Sequence, residues 1–168
     1  MLLHDTARAL ARDVHVERRL FEILGVWSTG PGEPEVVALY ATLSRHHGWR
    51  AEVLATLQPV LHDLDPSPPA AVDAYVATVA SSSTTAERLA AVEVTLAAQV
   101  AGWEERIAHG TEVSDAPVMR ALRLVSADAR EDWRAAASLV RSLVRSGFDA
   151  RGAAAHRSEL EREVRVLG

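Results

Sequence analysis

The feature that most constrains this chain is a helical spacing of apolar residues in long segments that clusters of turn residues separate. Apolar side chains recur at intervals of three and four residues, whereas no segment alternates apolar and polar residues for long enough to predict a strand. The interruptions are rich in Gly, Pro or Ser and lie at residues 25–34, 59–69, 81–84, 110–117 and 147. The sequence therefore predicts an all-α fold.

These interruptions define four long helices, one short helix and a C-terminal helix. Asp5 is a suitable N-cap for the first helix, which we expect to end at Leu24 with Gly25 as its stop. A capping box, Thr84 with Glu87, predicts the start of the third long helix, which reaches Ile107. We expect the other helices over residues 34–57, 69–80, 115–146 and 152–167.

The lengths of the connections predict how these helices are arranged. Short loops join the first long helix to the second and the third to the fourth, so each pair is expected to form an antiparallel hairpin. A long crossover, residues 58–84, carries the short helix between the pairs. We predict a single domain over residues 1–168, with an antiparallel four-helix bundle over about residues 5–146 and an extra C-terminal helix over 152–167.

Composition excludes several classes of function. The 168 residues are 48% hydrophobic and carry a net charge of −5, which favours a globular domain and argues against nucleic-acid partners and anionic membranes. Because cysteine is absent, disulfides, thiolate zinc sites, iron–sulfur clusters and a cysteine nucleophile are excluded. No apolar stretch has the length of a secretory signal or of a membrane span, so we expect a cytoplasmic protein. Missing lysine and asparagine are typical of a GC-rich bacterial genome.

Ionisable residues on the apolar helix faces are the candidate functional site. An isolated buried charge is unfavourable, so these groups are expected to contact one another or a ligand. Adjacent helical residues point about 100° apart, so His47 is predicted to face inward and His46 to lie on the flank. The candidates are Glu17 on the first long helix, His47 and Arg50 on the second, Glu93 on the third, and Asp128 and Asp132 on the fourth. Whether Asp128 or Asp132 faces inward is open.

Over about residues 5–146 the chain resembles the ferritin-like superfamily, in architecture and in the segments ERRLFEILG (17–25), PEVVALY (34–40) and RHHGW (45–49). The resemblance implies two irons, held by a glutamate from helices one and three and by a Glu-x-x-His pair from helices two and four. Glu17, Glu93 and His47 match ligand positions. Ser44 replaces the glutamate of the second helix, and the fourth helix offers Asp128 and Asp132 without a histidine.

The incomplete ligand set leaves three interpretations open. Two irons need several carboxylates and neutral histidines, so the missing ligands and the presence of Arg50 argue against a standard di-iron site. The first interpretation is a buried ion network in which Arg50 replaces the metal charge, in a degenerate ferritin-like protein without a cofactor that acts as a binding or accessory module. The second is an iron-dependent oxidase or hydroxylase with an unusual carboxylate and histidine site. The third is a pocket for an organic ligand. As partner we expect a second copy of the chain or another protein.

Overall fold

The computed structural model describes residues 3–59, 69–111 and 113–167, and in these ranges it is helical with no strand. The all-α prediction is therefore confirmed. Two short 3₁₀ turns, Ala150–Ala153 and Val164–Leu167, flank the last helix. The six α-helices of the described residues are α1 (Leu3–Trp27), α2 (Pro34–Ala55), α3 (Ala70–Ala80), α4 (Thr85–His109), α5 (Ala116–Arg145) and α6 (Ala154–Glu163).

Local sequence signals set several of the helix ends. The Thr84 hydroxyl accepts a hydrogen bond from the Glu87 backbone N–H, and the Glu87 carboxylate accepts one from the Thr84 N–H, which completes the predicted capping box of α4. Pro34 occupies the first turn of α2, where its missing N–H leaves no intrahelical bond unmade. Gly147 follows the end of α5 with a φ of 94°, a left-handed conformation that glycine adopts without strain.

Three expectations about α1 are wrong. Asp5 is not the N-cap, because α1 already includes Leu3 and Asp5 lies in its first turn. Gly25 does not stop the helix, which continues to Trp27, and the Ser28 hydroxyl then donates to the Gly25 carbonyl. Phe21, expected on the inner face, is 47% exposed, whereas Leu20 and Leu24 are buried. The buried face of α1 is therefore turned toward Leu20, because this helix is covered by neighbours on more than one side.

One apolar core joins all six helices. Helices α1 and α2 pack along their length, and the order of contacts is reversed between them: Ser44 Oγ donates to the Phe21 carbonyl, and the rings of Trp27 and Tyr40 meet edge to face at 5.5 Å. Helices α4 and α5 form the second extensive pair, and α2 also contacts α5. The long helices thus bring their middle segments to a common region.

The shorter helices α3 and α6 lie on the outside of α1 and α4. Asp73 Oδ1 of α3 lies 2.9 Å from Nε2 of His15 on α1. The hydroxyl oxygen of Tyr75, also on α3, lies 2.6 Å from Oγ1 of Thr95 on α4. Helix α6 packs on α4 and α3. The predicted crossover at 58–84 includes residues 60–68, which lie outside the described residues. In the described part of the chain, no helix combines the length and the apolar character that a membrane span needs.

Candidate functional site

Seven polar side chains from α1, α2, α4 and α5 meet in one hydrogen-bonded cluster. We call it the Arg50 network, since the guanidinium group of Arg50 contacts three of its members. Both Arg50 and Glu17 are fully buried, at 0% exposure. The members of the network are Glu17, His46, His47, Arg50, Gln99, Asp128 and Asp132.

Glu17 is the centre of the inner half of the network. One carboxylate oxygen, Oε2, accepts hydrogen bonds from His47 Nδ1 at 2.7 Å and from Arg50 Nε at 3.2 Å. The other oxygen, Oε1, accepts from Gln99 Nε2 at 2.6 Å. Three donors on two neighbouring helices therefore satisfy this carboxylate, which offsets the cost of burying its charge.

The other end of the Arg50 guanidinium binds two aspartates of α5. Arg50 Nη1 donates to Asp128 Oδ2 at 2.5 Å and to Asp132 Oδ2 at 2.8 Å. These residues are four positions apart, so they lie on the same face of the helix one turn from each other. One guanidinium thus bridges carboxylates from α1 and α5.

Electrostatics favour an ionised Glu17, a charged Arg50 and a neutral His47. Burial raises the pKa of Glu17, but the neighbouring His47 and Arg50 more than offset this and hold its pKa below the ordinary value. Burial lowers the pKa of His47, and the positive charge of Arg50 lowers it further, against the opposing effect of Glu17. Burial disfavours the charged form of Arg50 as well, yet the carboxylates, Glu17 foremost, hold its pKa above the ordinary value.

Two buried polar atoms of the network have no hydrogen-bond partner among the described residues. They are Arg50 Nη2, a donor, and Gln99 Oε1, an acceptor. Both belong to side chains that bind Glu17, one at each carboxylate oxygen. The network therefore has hydrogen-bonding capacity for a further polar group.

The structure brings together most of the residues that the sequence predicted for the site, but not Glu93. Glu17, His47, Asp128 and Asp132 all belong to the cluster around Arg50. The carboxylate of Glu93 pairs instead with Arg157 of α6, because its position on α4 faces the C-terminal helix. Both aspartates of α5 contact Arg50, and Asp132 is the more deeply buried.

Sequence reasoning missed two members of the network. Gln99 lies between Leu96 and Trp103 at helical spacing, and an amide on that apolar stripe is the signal that could have identified it. His46 lies on the flank, with 38% of its side chain exposed, and its Nδ1 is 2.8 Å from Asp132 Oδ1. Nothing in the sequence indicates that contact, because it depends on how α5 is rotated.

In the part of the chain that the structure describes, His46, Asp128 and Asp132 form one group with suitable spacing for a metal ion. Each offers a ligand atom, and these atoms lie within 4.8 Å of one another. Two carboxylates and an imidazole suit a divalent transition metal. Of the metal ligands predicted from the sequence, this group contains Asp128 and Asp132. It does not contain Glu17, His47 or Glu93.

A groove on the outer side of α1 and α2 is a second feature of the surface. It encloses about 520 Å³ and exposes two aromatic side chains, Phe21 and Trp49, the second of which is 38% exposed. Arg18, Arg45 and Glu52 line the same groove, so it combines aromatic surface with charges of both signs.

Comparison with known proteins adds no assignment. No family model matches the chain, and neither the curated proteins nor the solved structures contain a significant match.

Proposed function

We propose that this chain is a ferritin-like helical protein in which Arg50 replaces the metal charge, and that it acts as a binding or accessory module without di-iron chemistry. The observation that carries the proposal is the buried guanidinium of Arg50, which donates to Glu17, Asp128 and Asp132. In a metal protein, such carboxylates neutralise the ions. Here their oxygens accept hydrogen bonds from an arginine.

The directions of the helices support the ferritin-like arrangement. Helix α1 runs opposite to α4, and α2 runs opposite to α5, because the residue numbers of contacting partners change in opposite senses. The contacts are Asp13 with Trp103 and Glu17 with Gln99 for the first pair, and His46 with Asp132 and Arg50 with Asp128 for the second. Since α1 also opposes α2, helices α2 and α4 run in the same direction, and their connection must return along the bundle. One long crossover of this kind is the ferritin-like plan.

The charge of Arg50 also disfavours a pair of irons at the centre. Two unit charges about 4 Å apart interact by about 4 kcal/mol at an effective dielectric constant of about 20, and a divalent ion doubles this repulsion. Glu17 and His47, which match iron-ligand positions, already bind each other through a 2.7 Å hydrogen bond. A central di-iron site therefore requires Arg50 to leave its three partners.

The partner that we propose for the binding role is a second copy of the chain, docked at the groove of Phe21 and Trp49. The groove carries Arg18 and Arg45 as well as Glu52, so two copies related by a twofold axis can place the arginines of one against the glutamate of the other. Exposed aromatic residues supply the apolar area that such an interface buries.

The test is the response of the metal-free protein to iron(II) and oxygen. Anaerobic iron(II) is added to the chelator-treated protein, air is admitted, and the absorption spectrum is followed. We expect no oxygen-dependent absorption band that forms with two irons per chain. A band that forms with two irons per chain and disappears in a Glu17→Gln variant would overturn the proposal and establish the iron-dependent oxidase or hydroxylase in its place. His109→Gln, a substitution of an exposed histidine, is the matched control.

A further inference from the structure

We propose that His46, Asp128 and Asp132 bind a single divalent transition-metal ion at the outer edge of the Arg50 network. The site shares Asp128 and Asp132 with the ligand positions that the ferritin-like resemblance suggests, but it uses His46 and neither Glu17 nor His47. It goes beyond the proposed function, and it does not depend on it.

His46, Asp128 and Asp132 together provide three candidate ligand atoms. The candidate ligand atoms of His46, Asp128 and Asp132 lie within 4.8 Å of one another, a spacing that one ion can bridge after small side-chain movements. His46 Nδ1 and Asp132 Oδ1 already face each other at 2.8 Å. An ion between them would replace this hydrogen bond by two coordinate bonds.

Arg50 is compatible with an ion at this outer position, although it disfavours one at the centre. Its Nη1 binds the Oδ2 atom of each aspartate, which leaves the Oδ1 atoms for a metal. A hydrogen bond to the second oxygen of a ligating carboxylate fixes the direction of the first, as outer-shell partners do in metal proteins. Asp128 and His46 are 26% and 38% exposed, so water screens the repulsion between the ion and the guanidinium and also gives the ion access.

Charge balance is an independent reason for a cation. Glu17, Asp128 and Asp132 bring three negative charges to the network, whereas Arg50 is its one permanently positive group. Two negative charges remain, and a divalent ion would neutralise both.

The unpartnered atom of Arg50 is a second sign of a ligand at this site. Arg50 is fully buried, and its Nη2 atom has no hydrogen-bond partner. This atom is attached to the same carbon as Nη1, which contacts both aspartates. An oxygen ligand of the ion, such as water, would accept a hydrogen bond from Nη2. Two carboxylates, one imidazole and water form a ligand set for Mn²⁺, Fe²⁺, Co²⁺ or Zn²⁺.

The experiment is titration of the metal-free full chain with Co²⁺, followed by visible absorption, and with Zn²⁺, followed by calorimetry. We expect saturation at one ion per chain. His46→Gln and, separately, Asp128→Asn should weaken binding by about 100-fold or more, because loss of an outer-shell partner alone costs about 10–100-fold. His109→Gln, an exposed histidine on α4, should leave the affinity unchanged.

Two results would overturn the inference: no saturable binding of either ion, or binding that persists unchanged in both variants. Circular dichroism shows whether each variant is folded, and since His46 and Asp128 are partly exposed, their substitution should preserve the helices. The proposed function fails on a different observation, the oxygen-dependent iron band, so the two failures are distinguishable.

Discussion

The indole Nε1 of Trp103 donates a hydrogen bond to Asp13 Oδ2 over 2.9 Å, and both side chains are buried. Arg106 of α4 binds the same carboxylate oxygen, and Arg12 approaches the other at 3.4 Å. Asp13 precedes Glu17 by one helical turn, so α1 carries two buried carboxylates that face α4 in succession. The group of side chains around Asp13 therefore reinforces the contact between α1 and α4 next to the Arg50 network.

Replacing Trp103 by Phe should reduce the free energy of unfolding by about 1.5–3 kcal/mol, because it removes a hydrogen bond to a buried charged group. Urea denaturation with an unchanged slope measures the effect. The control is Trp133→Phe, at a 39% exposed tryptophan, which should change stability by no more than about 0.5 kcal/mol. Equal effects at the two positions would show that the Asp13 contact contributes nothing specific.

Replacing Arg50 by Met should lower the free energy of unfolding by about 3–5 kcal/mol, since it leaves buried carboxylates without their partner. Glu17→Gln should then be less harmful in the Arg50→Met background than in the wild type. The coupling energy from this double-mutant cycle should be about 1–3 kcal/mol, measured by chemical denaturation. Additive effects would mean that Glu17 and Arg50 do not stabilise each other.

Acidification should expose the contribution of Glu17 to stability. Its pKa is lower in the folded chain than the ordinary value of 4.5, so the ionised form stabilises the fold above about that pH, and this stabilisation is lost as the pH falls through the folded pKa. Glu17→Gln should therefore flatten the acid limb of a plot of unfolding free energy against pH. Glu22→Gln, at an exposed ion pair, serves as the comparison and should retain the wild-type slope.

The capping box of α4 should also respond to acid. Hydrogen bonds from the backbone N–H groups of Thr84 and Ser83 lower the pKa of Glu87 to about 2. Its contribution is present above about pH 4.5 and is lost as the pH falls toward about 2. Glu87→Gln should remove this component of the acid dependence.

Thr84→Ala should reduce the free energy of unfolding by about 0.5–2 kcal/mol at neutral pH, as loss of an N-cap does. Thermal melts monitored by circular dichroism detect this effect and that of Glu87→Gln.

Self-association through the aromatic groove predicts a concentration-dependent dimer. Sedimentation velocity should show a dimer of the wild-type chain, and Phe21→Glu with Trp49→Glu should convert it to a monomer that keeps its helical content. Leu124→Glu, at a 51% exposed leucine of α5 outside this groove, is the matched control and should leave the dimer intact. A wild-type monomer at every concentration, or a dimer that survives the double substitution, would contradict the prediction.

Local signals in the sequence predict the positions of the helices well, because residues near each end determine where a helix begins and ends. The capping box at Thr84, the proline at 34 and the glycine at 147 mark helix ends that the structure confirms. Gly25 shows the limit of this reasoning: a glycine ends a helix only when the chain must turn there, and packing of α1 against α2 prolongs the helix.

The site was predictable where a charge interrupts an apolar stripe, and not where tertiary rotation decides the partner. Glu17, His47 and Arg50 stand out on their helix faces, and the structure places them in contact. Glu93 is also near such a face, but its carboxylate forms an ion pair with Arg157 because α6 packs against α4. No local sequence pattern predicts that packing. The pairing of His46 with a carboxylate of α5 likewise depends on the relative rotation of two helices.

The position of Arg50 between the two helical hairpins has a consequence for folding. Within the α1–α2 hairpin, Arg50 meets Glu17 only 33 residues away, whereas its contact with Asp132 spans 82 residues and forms when α5 docks. Because Asp128 and Asp132 lie one turn apart, a hairpin that docked one turn out of register would leave the guanidinium with one aspartate in place of two, and a slip of two turns would bury it with neither, at a penalty of several kcal/mol. Arg50 therefore favours one register of the two hairpins over the neighbouring registers. Apolar packing alone distinguishes these registers poorly.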